Sequence, residues 1–179
     1  SGGVFSIDKL NWFNGQYIRK LSATELTERL LPFLAEAGLI GKPATPGELA
    51  YVVELVPLIH ERLVTLDEAP ELLRFFFQRP AELNAAELVP KKLDAAKARE
   101  ALSAAGETLS QLDTWDEPSL EQHLRALAEQ LELKTGDLFM TLRVAATGSR
   151  VSPPLFQTLH ALGKDEVLQR LDVAVGTLS

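Results

Sequence analysis

The chain has no cysteine. Disulfides, thiolate metal sites and a cysteine nucleophile are therefore excluded, and a cytosolic protein is the consistent expectation. Histidine is scarce: His60, His123 and His160 are the only three, and no two stand at the four-residue spacing that seats a metal ion on one helix face. Each is expected to be an ordinary core or surface residue. Long apolar runs are missing as well. Phe75-Phe76-Phe77 falls far short of the ~20 residues a membrane span needs. The start carries no secretory signal pattern, and Ser1-Gly2-Gly3 reads as an expression scar or a cut linker. Neither common Gly-rich phosphate loop nor a serine nucleophile elbow is present. No catalytic residue, no metal site and no cofactor is expected within the chain.

The composition is that of a globular protein. Of 179 residues, 46% are hydrophobic and 24% charged, enough for one large domain or two small ones with a real core. The net charge of -7 argues against a non-specific nucleic-acid binder. The charge is uneven, however. Asp113, Asp116, Glu117, Glu121, Glu129 and Glu132 oppose only Arg125, whereas Met140 to Lys164 holds Arg143, Arg150 and Lys164 with no carboxylate. An acidic body can carry a local cationic face.

Helix signals dominate. Ser22-Ala23-Thr24-Glu25 is a capping box, followed by Leu26, Leu30, Leu31 and Leu34 on one face and Gly38 as a stop. Thr45-Pro46-Gly47-Glu48 repeats the start signal, and Leu49, Val52, Val53, Leu55 and Val56 continue it. Further helices are predicted over Leu66 to Phe76, Lys92 to Leu112 with fraying near Gly106, Asp116 to Leu131, Gly136 to Ala146, Ser152 to Leu162 and Asp165 to Val175. Pro80 and Pro90 bracket a short segment. No run of alternating strands is found. The fold class is all-α, in about ten helices. Two helical subdomains are expected, 4–80 and 81–179, with 1–3 outside both. Trp12 and Phe13, at helical spacing with Leu10 and Ile18, are expected in the core, as are Phe75, Phe76 and Phe77.

The stretch Leu142 to Phe156, "LRVAATGSRVSPPLF", places Arg143 and Arg150 around a small polar joint. Ser152-Pro153-Pro154 reads as the start of the next helix. Free N–H groups at a helix start attract anions, and guanidinium groups bind phosphates and base edges. On spacing alone the same residues better suit an ordinary helix start with capping arginines.

Three segments carry a family resemblance. "LNWFNGQYIRKLS" (Leu10 to Ser22) resembles the segment that follows the catalytic half of bacterial glutamyl-tRNA synthetases. "ERLVTLDEAPELLRFFF" (Glu61 to Phe77) fits the region beyond it. "LRVAATGSRVSPPLFQTLHALGKDEVLQRL" (Leu142 to Leu171) resembles the family's C-terminal stretch. The three stand in the family's order and at about its spacing. The family's His-Ile-Gly-His and Lys-Met-Ser-Lys-Ser signatures do not occur here. The resemblance therefore implies the anticodon-binding portion of a class I synthetase, all helical, with a stem-contact segment and a first anticodon-binding bundle ahead of a second one. It implies no activity in this piece alone; ATP and magnesium belong to the catalytic domain that this piece lacks. The implied partner is tRNA(Glu), with no membrane; the implied state is a cytoplasmic monomer.

Residue by residue, the resemblance implies that Arg62 reads the last anticodon nucleotide, C in the glutamate tRNA against G in the glutamine tRNA. A surface salt bridge to Glu61 or Asp67 is the alternative for this side chain. Arg143 corresponds to another anticodon-loop arginine. Ser152 and Leu155 match the joint that contacts splayed bases; the family often has threonine where Ser152 stands, and serine keeps the hydroxyl. Arg150 is expected to contact phosphate, and Arg19 the inside of the tRNA L. A helical protein–protein interaction domain, docking a basic partner on its acidic surface, is the alternative function.

Overall fold

The computed structural model describes residues 6–179. Ser1 to Gly3 and the first two positions of the expected 4–80 subdomain lie outside the described residues. Among those described, the chain is 71% helical with no strand. It divides into two compact units, one ending at Gln78 and one spanning Arg79–Ser179.

The first unit holds α1 (Ile7–Lys20), α2 (Ala23–Glu36), α3 (Pro46–Ile59) and α4 (Ala69–Phe77). Both capping boxes form as the sequence predicts. Ser22 Oγ accepts from Glu25 N at 3.1 Å while Glu25 returns to Ser22 N at 2.8 Å. Thr45 and Glu48 do the same. These contacts hold the carboxyls of Glu25 and Glu48 below their ordinary range, chiefly through the backbone N–H of each capping residue. Leu26, Leu30 and Leu34 then face Val52, Leu55, Val56 and Ile59, and Leu73 and Phe76 close the core. The helix predicted from Leu66 instead opens with a tight 3-10 turn, Leu66–Glu68, before α4. Proline is the cause: Pro70 has no N–H to offer Leu66, so the carbonyl of Leu66 takes Ala69 N instead.

One expectation fails in this unit. Trp12 and Phe13 are not core residues; they are 58% and 50% exposed. α1 buries only Gly15 and Ile18, so among the described residues nothing covers the apolar side chains of its first two turns fully. The two rings stack edge to face at 5.1 Å instead. Of the three consecutive phenylalanines, Phe76 is buried, and Phe75 and Phe77 are half-buried beside it.

The second unit holds α5 (Ala85–Leu88), α6 (Ala95–Ser110), α7 (Glu117–Gln130), α8 (Thr135–Thr147), α9 (Leu155–Leu162) and α10 (Lys164–Thr177). α6 packs along α10, with α7, α8 and α9 around them. The small residues Ala98, Ala101 and Ala105 on α6 are fully buried, which lets the helices approach closely. α6 does not fray at Gly106 but runs on to Ser110. Asp94 and Asp116 cap α6 and α7 from the side chain, at 2.7 and 2.8 Å. The loops are tied by long-range bonds: Trp115 Nε1 donates to Leu159 O at 3.0 Å, and Lys164 Nζ to Leu112 O at 2.8 Å.

α7 ends with Glu132 in the left-handed region, at φ 54°. Leu133 N returns to Ala128 O at 2.9 Å, the wrapped helix ending that glycine usually closes. A glutamate there carries strain at its β-carbon. Glu132→Gly is therefore expected to stabilise the chain by about 0.5–1 kcal/mol, relief of strain exceeding the entropy cost of glycine. A rise in the denaturant midpoint checks this; an unchanged or lower midpoint contradicts it.

Candidate nucleic-acid interface

The joint between α8 and α9 is built from its own polar groups. Gly148 ends α8 at φ 74°, its N–H on Val144 O at 2.8 Å. A β-carbon at Gly148 would stand 2.8 Å from Pro80 Cγ, so both backbone angle and space require glycine. Thr147 Oγ1 bonds to Arg143 O at 2.8 Å and accepts Ser149 N at 3.2 Å. Ser149 Oγ accepts Val151 N at 3.1 Å.

Arg143 then crosses the loop. Its Nη1 donates to Pro153 O at 2.8 Å, to Ser152 O at 3.4 Å and to Ser152 Oγ. The Ser152 hydroxyl donates in turn to Pro153 O at 2.8 Å. Ser152 is thus not the cap of α9, as its place before Pro153-Pro154 suggests. The helix begins three residues later, at Leu155, with Pro154 before it and no side-chain cap. Neither proline has an N–H, so the donors expected directly after Ser152 do not exist there.

The residues singled out from the sequence divide accordingly. Ser152 and Leu155 are 7% and 4% exposed and face inward, so in this conformation they shape the joint and do not stand at its surface. Arg143 is half-buried, with Nη1 committed to the loop. Lys164 is committed to the Leu112 carbonyl in the loop after α6. Arg150 is exposed and, among the described residues, forms no ion pair. The cationic stretch therefore presents Arg150 outward on a loop that Arg143 holds.

Beneath the joint lies a network that the sequence did not single out. Arg170, only 3% exposed, donates from Nη1 to Ala146 O at 2.6 Å, near the end of α8, and from Nε to Glu166 Oε1 at 2.7 Å. Arg79 forks the same carboxylate, Nε to Oε1 at 2.7 Å and Nη2 to Oε2 at 2.8 Å, and reaches Gln169 Oε1. The Arg79 fork, with Arg170 behind it, pushes the Glu166 carboxyl down to about 2 against the opposing effect of burial. The four-residue spacing of Glu166 and Arg170 was a legible signal; Arg79 gave none.

In the first unit, Arg62 sits just past α3. His60 Nε2 meets Ile18 O at 2.9 Å and ties this loop to α1. Glu68 Oε2 accepts Val64 N at 2.9 Å and Thr65 N at 3.2 Å, fixing the loop's other side. Arg62 is exposed and, among the described residues, pairs with neither Glu61 nor Asp67. Arg19 is half-buried and folds back along its own helix, its guanidinium nitrogens 3.2 Å from where a β-carbon of Gly15 would be. The three histidines each place a ring nitrogen on a backbone carbonyl: His60 on Ile18, His123 on Ser119 and His160 on Trp115.

A helical scaffold with an exposed arginine on a pinned loop in each unit fits a domain that meets an anionic, base-bearing polymer. The chain belongs to the anticodon binding domain family, whose pattern it matches over residues 25–175. Its relatives are glutamate--tRNA ligases. It is 53% identical over 172 residues to the ligase of Roseiflexus castenholzii, covering 96% of this chain and 34% of that protein. It is 53% identical over 174 residues to that of Chloroflexus aurantiacus, covering 96% and 35%. The chain thus spans about a third of the length of these relatives, at their C-terminal end. Among solved structures, it superposes on a glutamate tRNA ligase from Elizabethkingia meningosepticum with a TM-score of 0.82 at 23% identity, over 98% of this chain and 33% of that one. That likeness establishes the fold. No helix among the described residues is long and apolar enough to cross a membrane.

The network makes a pH prediction. A carboxyl whose folded pKa is depressed contributes stability that is fully present above its unfolded value and is lost as pH falls through the folded one. For Glu166 that window runs from 4.5 down to about 2. Glu166→Gln should lower stability at pH 7 by about 1–3 kcal/mol, because buried Arg170 loses its counter-charge. It should also flatten the acid limb within that window. Parallel unfolding curves of the two proteins from pH 7 to pH 2 test this; equal acid slopes would rule it out.

Proposed function

We propose that this chain grips the anticodon loop of the glutamate tRNA and supports glutamylation by a catalytic domain outside it. The family match over residues 25–175, with relatives that are glutamate--tRNA ligases, carries the reading. In it, the first unit contacts the stem and the last anticodon base, and the second contacts the rest of the loop. The chain works as a cytoplasmic monomer; ATP and magnesium serve the catalytic domain.

Arg62 is the reader of the last anticodon base. Its exposed guanidinium, with no ion pair among the described residues, is left with donors for the acceptors of cytosine. Arg150 meets a phosphate, which needs no particular base. Arg143 acts chiefly by holding the joint, since its Nη1 is bonded to loop oxygens. Ser152 and Leu155 support that shape from below, and Arg19 faces the inside of the L.

A binding titration against the glutamate and glutamine tRNAs tests the proposal. The glutamate tRNA should bind more tightly, and binding should weaken with added salt. Arg62→Gln should reduce discrimination at the last anticodon base by about five- to a hundredfold, roughly 1–3 kcal/mol. Arg150→Gln should weaken both tRNAs alike and lower the salt slope by about one. Arg143→Ala should weaken binding and lower the thermal midpoint together. A partner protein that binds while both tRNAs are ignored would favour the interaction-domain alternative.

A further inference from the structure

In the first unit, an open groove of about 400 Å³ runs between α1, α2 and the 3-10 turn. This is within the size range of small-ligand sites, roughly 300–1,000 Å³. Tyr17 and Phe33 offer two aromatic rings, and Ile18 an apolar floor. Asn14, Thr65 and Asp67 supply the polar edge. Arg29 stands with Cζ 5.6 Å from the centre of the Tyr17 ring and holds it from outside the lining.

The lining selects a ligand. Among the described residues that form it there is no cation, so a phosphate finds no counter-charge inside. A flat, neutral heterocycle finds stacking surface on the rings. The Asp67 carboxylate only accepts hydrogen bonds, so it calls for a donor such as an exocyclic amine. The Asn14 amide both donates and accepts. Cations stand close by in the same unit: Arg29 at Tyr17, and Arg62 on the loop that leads into Thr65. A ribonucleotide matches this division, with the base inside and the phosphate outside. His60 and Glu68 pin the loop from two sides, so the groove's wall is held before any ligand arrives.

We propose that this groove receives one unstacked, amine-bearing base of the bound RNA, stacked on Tyr17 and hydrogen-bonded to Asp67. The inference rests on the RNA-binding reading and adds to it a base pocket distinct from the Arg62 side chain. Tyr17 is about half exposed and Asp67 is exposed, so both can be changed without emptying the core.

The test uses the chain with full-length glutamate tRNA carrying the fluorescent base 2-aminopurine at one anticodon-loop position at a time. With the unaltered protein, one position should change its emission as the base moves from its RNA neighbours onto Tyr17. Tyr17→Leu should abolish that change and weaken binding about five- to a hundredfold. At the same position, the unaltered protein should prefer 2-aminopurine over purine, which lacks the amine, and Asp67→Ala, which removes the acceptor, should erase the preference. Circular dichroism should show both variants folded; should one lose its fold, the other still decides. tRNA binding with no responsive position, or with a response that survives Tyr17→Leu and a preference that survives Asp67→Ala, overturns the pocket and leaves the RNA-binding reading standing. Failure of the unaltered chain to bind tRNA overturns both.

Discussion

A buried guanidinium cannot stand alone, and the second unit is arranged around that requirement. Arg170 lies almost wholly inside the protein. Stripping water from its charge costs several kcal/mol unless a counter-charge and hydrogen-bond acceptors replace it. Glu166 supplies the charge one helical turn away, and the Ala146 carbonyl supplies an acceptor near the end of α8. Arg79 closes the carboxylate's outer side with a two-pronged fork. The pairing is therefore also a clamp. It joins the first residue of the unit, the last helix and the end of α8, where the α8–α9 joint begins.

From that end, each piece of the joint follows from satisfying the one before it. Gly148 is required because Pro80 sits where a β-carbon would go. The turn that follows is bonded through Thr147 and Ser149, and Arg143 draws together the Ser152 and Pro153 oxygens. The result is a loop whose interior is already committed and whose exterior carries Arg150. Such a loop loses little freedom when it meets a partner, which is the physical advantage of building it from buried bonds. The first unit solves the same problem more simply. His60 anchors the loop of Arg62 to α1, Glu68 ties down its far side, and Arg62 is left exposed.

Local rules carried a good deal of this. The capping boxes at Ser22 and Thr45 and the aspartate caps at Asp94 and Asp116 are interactions across three residues, so they form from the local sequence alone. Leu26, Leu30 and Leu34 of α2 and Val52, Leu55, Val56 and Ile59 of α3 are buried because helical periodicity places each set on one face, whereas Leu49 and Val53, which the sequence also assigned to α3, fall on its exposed side. Even the turn at Leu66 follows from Pro70, four positions on, once the missing N–H is counted. Trp12 and Phe13 were harder. Apolar character and helical spacing say that a face can be buried, and only the neighbours decide whether it is; here both rings stay half exposed or more. Ser152 misled for a related reason. Its hydroxyl had two possible uses, a cap for the next helix or a partner for Arg143, and the local pattern names only the first.

The amino-acid order alone therefore determined an all-helical chain, most of its helix starts and stops, and the arginines placed near its loops, because those depend on contacts within a turn or two of helix. Tertiary structure decided which arginines are spent inside and which face out. Arg79 reaches Glu166 across 87 positions, and Arg143 and Arg170 bond to oxygens 9 to 24 positions away. No spacing rule spans such distances. A side chain's partner there is set by how whole helices pack, and packing is a property of the assembled core.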